Sequence, residues 1–378
     1  MERILVIQLR QLGDTLFSTP LVRQLRRLYP AAEIDWLCQG FNACILRHHP
    51  DVSRLETLPR SAPPLLFCHL AARLRLRRYD FVVDPQTLSK TAILSWLSGA
   101  PKRIGFRRPW KRAFYTKTFD HAGGEFTATR RLRLLDDPRV DLADTKIDFY
   151  VGPEDVETAR TFCSRYFDRP VVALYGCREE FTRHWPAENY AAIADRLAAR
   201  GMLPWLVYGP GEQDAARRIA SLMRYPALIE YPLVSFPVLK EILARCELMV
   251  TCDGGPKAVA FAAGTPTVTL YHGKEAVGWN MPGNPRHRVV ASRFDTPAAI
   301  AIREGRDDVP RGTVTDAETT SHIPLEAMWC EVEQLREFLN GAKHCRVAHP
   351  LSDPYIADVR HSFGAAGDAG SRGIPRVA

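Results

Sequence analysis

Two carboxylates in this chain stand where a carboxylate can do chemistry. Asp14 follows Gly13 a few residues beyond the apolar run Ile4-Leu5-Val6-Ile7, and Asp253 opens Asp253-Gly254-Gly255-Pro256-Lys257 directly after Leu248-Met249-Val250-Thr251-Cys252. Each pattern reads as a buried strand running into a glycine-bearing loop that feeds a helix. In open α/β sheets that junction is where strand ends and helix N-termini converge on a ligand. A partly desolvated aspartate at such a place can take a proton from a substrate hydroxyl as general base; capping the helix is the competing use of Asp14. At 253–257, adjacent glycines let backbone N–H groups approach an anion closely, and the helix dipole favours its negative charge. Two such junctions, each with a carboxylate, suggest two half-sites that face each other.

The elements that must position these residues alternate along the chain. The patterning predicts strands at 3–7, 33–38, 80–84 and 104–106, with helices at 19–28, 44–48 and 91–97 and a short helical piece at 131–135. A second series begins with the strand 171–175. Helices follow from Pro186 to Gly201, at 213–223, 238–245 and 256–263, with strands at 204–208, 248–251 and 267–270. Pro138 and Pro153 interrupt the alternation. The expected organisation is an α/β chain of two domains with parallel sheets, 1–165 and 166–340. Residues 295–321 read as a long polar loop, 325–339 as a terminal helix and 341–378 as a tail too poor in apolar residues to fold alone.

Length and composition agree with that organisation. A chain of 378 residues fits two cores of roughly 150 residues each. No apolar run approaches the ~20 residues that span a bilayer, and the N-terminus is strand-like rather than a signal peptide. Nine cysteines without a CxxC pair point to reduced thiols and a cytosolic setting; Cys252 alone neighbours a suspected site. The net charge of +8 is concentrated in residues 1–150, which hold 25 Lys/Arg against 15 Asp/Glu. Its densest part, 101–117, contains Lys102, Arg103, Arg107, Arg108, Lys111, Arg112 and Lys117 and no carboxylate. A solvated basic loop is the plain reading. The interleaved Phe106, Trp110, Phe114 and Tyr115 favour an anionic membrane surface or phosphorylated glycolipid instead, and no nucleic-acid module accompanies the patch. The pairs Asp136-Asp137 and Asp307-Asp308 lie in polar segments, so no metal is expected.

The segments ILVIQLRQLGDTLFSTPLVRQLRRLYPAAEIDWL, YDFVVDPQTLSKTAILSWLSGAPKRIGF, RHWPAENYAAIADRLAARG and MVTCDGGPKAVAFAAGTPTVTLYHGKE occur in register over about residues 2–340. Together they resemble glycosyltransferase family 9, the lipopolysaccharide heptosyltransferases. The resemblance implies a GT-B architecture, two Rossmann-like domains facing across a cleft, with acceptor in the N-terminal half and nucleotide-sugar in the C-terminal half. It implies inverting transfer of a heptose from ADP-heptose to the inner core of lipopolysaccharide, without metal or bound cofactor, in the cytosol at the inner face of the membrane. Asp14 then matches the family's catalytic base. Arg183, before His184-Trp185-Pro186, matches its cation at the leaving diphosphate, although a surface pairing with Glu179 or Glu180 would also occupy it. Thr182 would add a hydroxyl to the same oxygens. Asp253, Gly254, Gly255, Pro256 and Lys257 match the donor loop, with Asp253 an organiser of the loop or a partner of the sugar. Glu212, in Gly209-Pro210-Gly211-Glu212, either bonds the donor ribose or caps a helix. On the acceptor side stand Arg10, Gln11, Gly13 and Lys90, the last suited to an acidic sugar carboxylate or a lipid A phosphate. The chain departs from the family at Ala258, where the pattern has His, and at Arg10-Gln11, where relatives carry small hydroxyl residues. Two other readings follow: a degenerate relative that binds nucleotide-sugar or glycan without turnover, or a member using another donor sugar. A Rossmann oxidoreductase is disfavoured, because no GxGxxG follows the first strand.

Overall fold

The computed structural model describes residues 2–120, 125–176, 185–272, 276–281, 283–292 and 320–341. Most of 295–321 and the tail from 342 onward lie outside the described residues.

Six strands form the first sheet: β1 Arg3–Gln8, β2 Glu33–Cys38, β3 Arg54–Thr57, β4 Phe81–Asp84, β5 Lys102–Phe106 and β6 Lys117–Phe119. All pairings are parallel, in the order β3-β2-β1-β4-β5-β6. The second sheet contains β7 Val171–Tyr175, β8 Leu203–Leu206, β9 Leu248–Cys252, β10 Thr267–His272 and β11 His287–Ser292, again parallel, ordered β11-β10-β9-β7-β8. The helices are α1 Leu12–Leu16, α2 Thr19–Leu28, α3 Ala43–Leu46, α4 Pro64–Leu76, α5 Ser89–Leu97, α6 Thr127–Leu132, α7 Pro153–Tyr166, α8 Ala187–Ala198, α9 Gln213–Ser221, α10 Phe236–Leu243 and α11 Gly255–Ala263. The final helix spans Leu325–Leu339.

Strands buried on both faces read as unbroken apolar runs, and β1, β4, β7 and β9 are such runs. Helix α2 places Leu21, Val22, Leu25 and Leu28 inward, while its arginines reach acidic partners: Arg23 to Asp144 at 2.8 Å and Arg26 to Asp51 at 3.1 Å. Helix α7 lays Phe162 against Trp205 and Tyr231, with ring centroids 5.7 and 5.6 Å apart.

Each sheet reverses its winding once, between β1 and β4 in the first and between β7 and β9 in the second. Crevices for ligands open beyond the carboxyl ends of strands at such switch points. Both expected half-sites fall there: Asp14 beyond β1, and Asp253 beyond β9.

Two histidines, His49 buried and His287 half-buried, make the fold sensitive to mild acid. His49 is 4% exposed, its Nδ1 accepts the Asp51 N–H at 3.2 Å, and its Nε2 has no partner. Burial pulls its pKa down to about 4, and that of His287 down to about 3. An unfolded histidine titrates near 6.5. Below that pH the unfolded chain binds protons that the native state refuses. Stability is therefore fully present above about pH 6.5 and is lost as pH falls toward 4, by up to about 1.4 kcal/mol per pH unit for each group. Thermal melts across this window should show His49→Gln losing less stability on acidification than the parent. An unchanged slope would sink the assignment.

Candidate active site

The loop between β1 and α1 has little regular structure, and side chains from neighbouring strands hold it. The Leu9 N–H donates to Gln86 Oε1 at 2.8 Å, across the switch point between β1 and β4. The Leu9 carbonyl accepts from Gln39, the Arg10 N–H donates to Gln8 Oε1 at 3.1 Å, and the Arg10 carbonyl accepts from Asn42 Nδ2 at 2.7 Å. Gln86 is itself fixed by Asp84. This buried carboxyl accepts the N–H groups of Gln86 and Thr87 at 2.9 and 2.8 Å and the Tyr115 hydroxyl at 2.6 Å. Burial raises the Asp84 pKa. Gly105 leaves the room this cluster needs, since a Cβ there would lie 2.9 Å from both Thr87 Oγ1 and the Tyr115 ring.

Asp14 lies in the first turn of α1, whose N-cap is Gln11, without a side-chain cap bond. Its carboxylate faces a guanidinium. Arg131 Nη2 donates to Asp14 Oδ1 at 2.6 Å, and Nη1 donates to the Asp14 carbonyl at 2.5 Å, which also accepts from Ser18 Oγ at 2.9 Å. Arg131 is 4% exposed. Burial pulls its pKa down to about 10, against the opposing field of Asp14, so it remains cationic at neutral pH. Arg130 and Arg10 add positive potential at the same place.

Arg10, Gln11, Asp14 and Lys90 line one open cavity of about 640 Å³, together with Gln39 and Arg60. Lys90 Nζ donates to the Arg60 carbonyl at 2.9 Å at its rim. Gly13 faces elsewhere. A Cβ on Gly13 would lie 3.7 Å from Ala258 Cβ, and one on Gly255 would lie 3.6 Å from Leu12 Cδ2. Helices α1 and α11 are thus neighbours, with room for a Cβ at ordinary contact distance at both glycines. The N-terminus of α11 is brought beside the Asp14 turn. Phe17 joins the halves further, with ring centroids 5.6 Å from Phe126, 6.0 Å from Phe261 and 5.5 Å from Trp279. The Arg131 guanidinium lies 6.0 Å from the Trp279 ring centroid.

Within the donor loop the side chains turn inward. Tyr271 donates to Asp253 Oδ1 at 2.6 Å, which makes Asp253 an organiser of the loop. Lys257, only 1% exposed, donates to the Tyr271 hydroxyl and, at 2.9 Å, to the Trp279 carbonyl; its ammonium is 3.3 Å from Asp253 Oδ1. Lys257 therefore does not turn its charge toward the cleft as a donor-binding role expects, because the fourth residue after Asp253 lies on the same side of the helix as that carboxylate. Gly254 is the N-cap of α11, and Gly255 and Pro256 form its first turn. Glu212 accepts the Gly209 N–H at 2.7 Å and the Tyr175 hydroxyl at 3.1 Å, holding the turn after β8. Thr182 and Arg183 lie outside the described residues.

Sequence reading missed Arg131 and the trio Gln39, Asn42 and Gln86. For Arg131 the available signal was a double arginine in a short helical segment, Thr127-Ala128-Thr129-Arg130-Arg131-Leu132.

Comparison with known proteins bears on the family and the fold. The profile of glycosyltransferase family 9 (heptosyltransferase) matches residues 67–303. Among curated proteins, lipopolysaccharide heptosyltransferase 3 of Escherichia coli is 26% identical over 281 residues, covering 71% of this chain and 82% of the relative. Lipopolysaccharide heptosyltransferase 1 of Pseudomonas aeruginosa is 26% identical over 290 residues, covering 71% and 78%. In fold the chain is similar to a family 9 glycosyltransferase from Veillonella parvula, with TM-score 0.77, 20% identity and 88% and 97% of the two chains covered. It is also similar to E. coli ADP-heptose lps heptosyltransferase II, with TM-score 0.69, 20% identity and 90% and 100% covered. E. coli heptosyltransferase WaaC solved with ADP follows, with TM-score 0.64, 20% identity and 90% and 99% covered. The two facing parallel-sheet domains are a GT-B fold, and the chain belongs to glycosyltransferase family 9, the heptosyltransferases.

Proposed function

We propose that this glycosyltransferase transfers a heptose from ADP-heptose to a lipopolysaccharide core acceptor at the cytosolic face of the membrane, with inversion at the anomeric carbon. The observation that carries this reading is the meeting of α1 with α11. It sets a carboxylate lining the acceptor cavity beside a helix N-terminus suited to a diphosphate. Curated relatives named for lipopolysaccharide heptosyl transfer, and a fold neighbour solved with ADP, support the choice of donor and acceptor.

In this mechanism the acceptor enters the cavity lined by Arg10, Gln11 and Lys90, whose cations suit phosphate or sugar carboxylate groups. Asp14 takes the proton of the attacking hydroxyl as the new glycosidic bond forms and the bond to the diphosphate breaks. The α11 N-terminus at Gly254–Pro256 and the cation Arg183, with Thr182, receive the developing charge on ADP. Arg131 acts through Asp14: two hydrogen bonds to one residue fix the direction of its carboxylate. Ala258 favours a second reading, binding without turnover, because the family histidine is absent and its place is packed against Gly13.

Titration calorimetry with ADP and ADP-heptose, beside UDP and NAD⁺, separates these readings. Selective binding of the ADP compounds is expected; binding of another nucleotide alone would discard the heptose donor. Turnover of ADP-heptose on a core acceptor decides between enzyme and degenerate binder. Asp14→Asn should lower kcat by about 10²- to 10⁴-fold, the usual worth of a positioned base, while ADP affinity stays within about threefold, less than 1 kcal/mol. Substantial turnover in that variant would remove Asp14 as the base. Arg131→Met should lower kcat by about 10²-fold, as a misdirected reacting group does, without weakening ADP binding. Arg131→Lys should recover part of the loss. A purely structural role would instead lower the melting temperature of both variants and leave kcat per folded molecule unchanged.

A further inference from the structure

The net positive charge of the first domain is concentrated in two stretches of its chain. Residues 57–79 and 85–119 contain 13 Lys/Arg and no Asp or Glu. The first window includes α4 and the second includes α5, β5 and the 3₁₀ turn Trp110–Phe114. Helix α4 is apolar where a soluble helix would be polar: Leu65 is 82% exposed and Leu76 80%. Positions 65, 68, 72 and 76 fall on one stripe of a helix, here Leu65, Cys68, Ala72 and Leu76, all exposed.

That stripe borders a shallow groove shared with α5, lined by Cys68, Ala72, Arg75, Trp96 and Arg103. Trp96 packs edge-on against Phe114 at 6.2 Å, and Phe114 against Trp110 at 5.9 Å, so one aromatic chain links α5 to the 3₁₀ turn. Trp96 and Trp110 remain 52% and 61% exposed. Around these apolar groups stand Arg75, Arg78, Arg108, Lys111 and Arg112, none of which makes an ion pair among the described residues. In the same stretches Arg73, Arg77, Arg107 and Lys117 are matched by Glu56, by Glu33 and Asp35, by Asp120 and by Asp136; the five named above are not. Among the described residues no helix is long and apolar enough to cross a membrane.

We infer that helix α4, with Trp96 and Trp110, inserts into the headgroup region of an anionic phospholipid bilayer while the surrounding arginines and lysines bind its phosphates. Exposed leucines and tryptophans ringed by cations that lack carboxylate partners match a surface with an apolar interior and an anionic face. A protein partner would have to supply a matching acidic surface with an apolar centre, and a second copy of this basic face would be repelled. The inference deepens the proposed function by naming the docking element, which is α4 and its neighbours rather than 101–117 alone. It also fits the acceptor route. Arg60 and Lys90, on the acceptor cavity rim, lie just before α4 and at the first turn of α5. A glycolipid anchored in that bilayer would offer its sugars to the cavity without leaving the membrane.

The test is co-sedimentation of the full chain, without substrates, with vesicles of phosphatidylethanolamine and phosphatidylglycerol and with vesicles of phosphatidylcholine alone. The chain should pellet with the anionic vesicles, and less so with neutral vesicles or at high salt. Replacing two interfacial leucines in Leu65→Glu/Leu76→Glu should weaken partition by at least about 10-fold, and Trp96→Ala/Trp110→Ala should weaken it in the same direction. Both variants alter exposed positions, and their melting curves and ADP binding should match the parent. If the proposed transfer holds, their rates on a delipidated acceptor stay unchanged while rates on vesicle-embedded glycolipid fall. Sedimentation needs no turnover, so failure of the heptosyl assignment would leave it intact. A parent chain that stays in the supernatant, or variants that pellet as well as the parent, would overturn the inference. So would a dimer by light scattering that Leu65→Glu/Leu76→Glu disperses.

Discussion

The buried pairing of Arg131 with Asp14 constrains everything around it. A guanidinium 4% exposed is tolerable only if its charge and its N–H groups are matched. Asp14 offers both its carboxylate and its backbone carbonyl, at 2.6 and 2.5 Å. Neither partner can drift without leaving the other unpaired in a low-dielectric place. The loop leading to Asp14 must therefore be held as firmly as the arginine. Gln8, Gln39, Asn42 and Gln86 do this from β1, from the turn after β2 and from the turn after β4. A loop with four backbone groups bonded to side chains behaves as part of the sheet, which is what a precisely aimed functional group requires.

The same economy governs the other half. Asp253, Tyr271 and Lys257 bond one another at the loop between β9 and α11, and the Lys257 ammonium also donates to the Trp279 carbonyl. Helices α1 and α11 lie side by side at Gly13 and Gly255, and the aromatic nest of Phe17, Phe126, Phe261 and Trp279 fills the space beside them. Positive potential in the described part of the cleft comes from the N-terminal domain, through Arg10, Arg130 and Arg131, and from the N-terminus of α11.

Much of this was legible in the sequence, for definite reasons. Strands buried on both faces announce themselves as apolar runs, so β1, β4, β7 and β9 were readable, and with them both strand-end junctions. The family motifs supplied the GT-B pairing of the domains. Edge strands β3, β6 and β11 were not read, because short, half-polar segments carry no strong period. Helix α4 was missed because its apolar residues do not gather on the buried side; Leu65 and Leu76 face out. Lys257 illustrates a different limit. A lysine in a phosphate-type loop reads as a ligand, yet a spacing of four from Asp253 turns it into the core. Arg131 was invisible as a partner of Asp14 because 117 residues separate them, and only the folded arrangement of α6 over α1 brings them together.

Ala258 is best understood through this geometry. A Cβ built on Gly13 would lie 3.7 Å from its Cβ, an ordinary contact, so position 258 sits on the side of α11 that faces α1. At short range, oriented N–H groups of a helix start act on an anion with little reorganisation, and a neighbouring arginine cluster supplies the net charge. In this chain a small residue stands at 258, on the α11 side, while the cations Arg10, Arg130 and Arg131 gather around Asp14 on the other side.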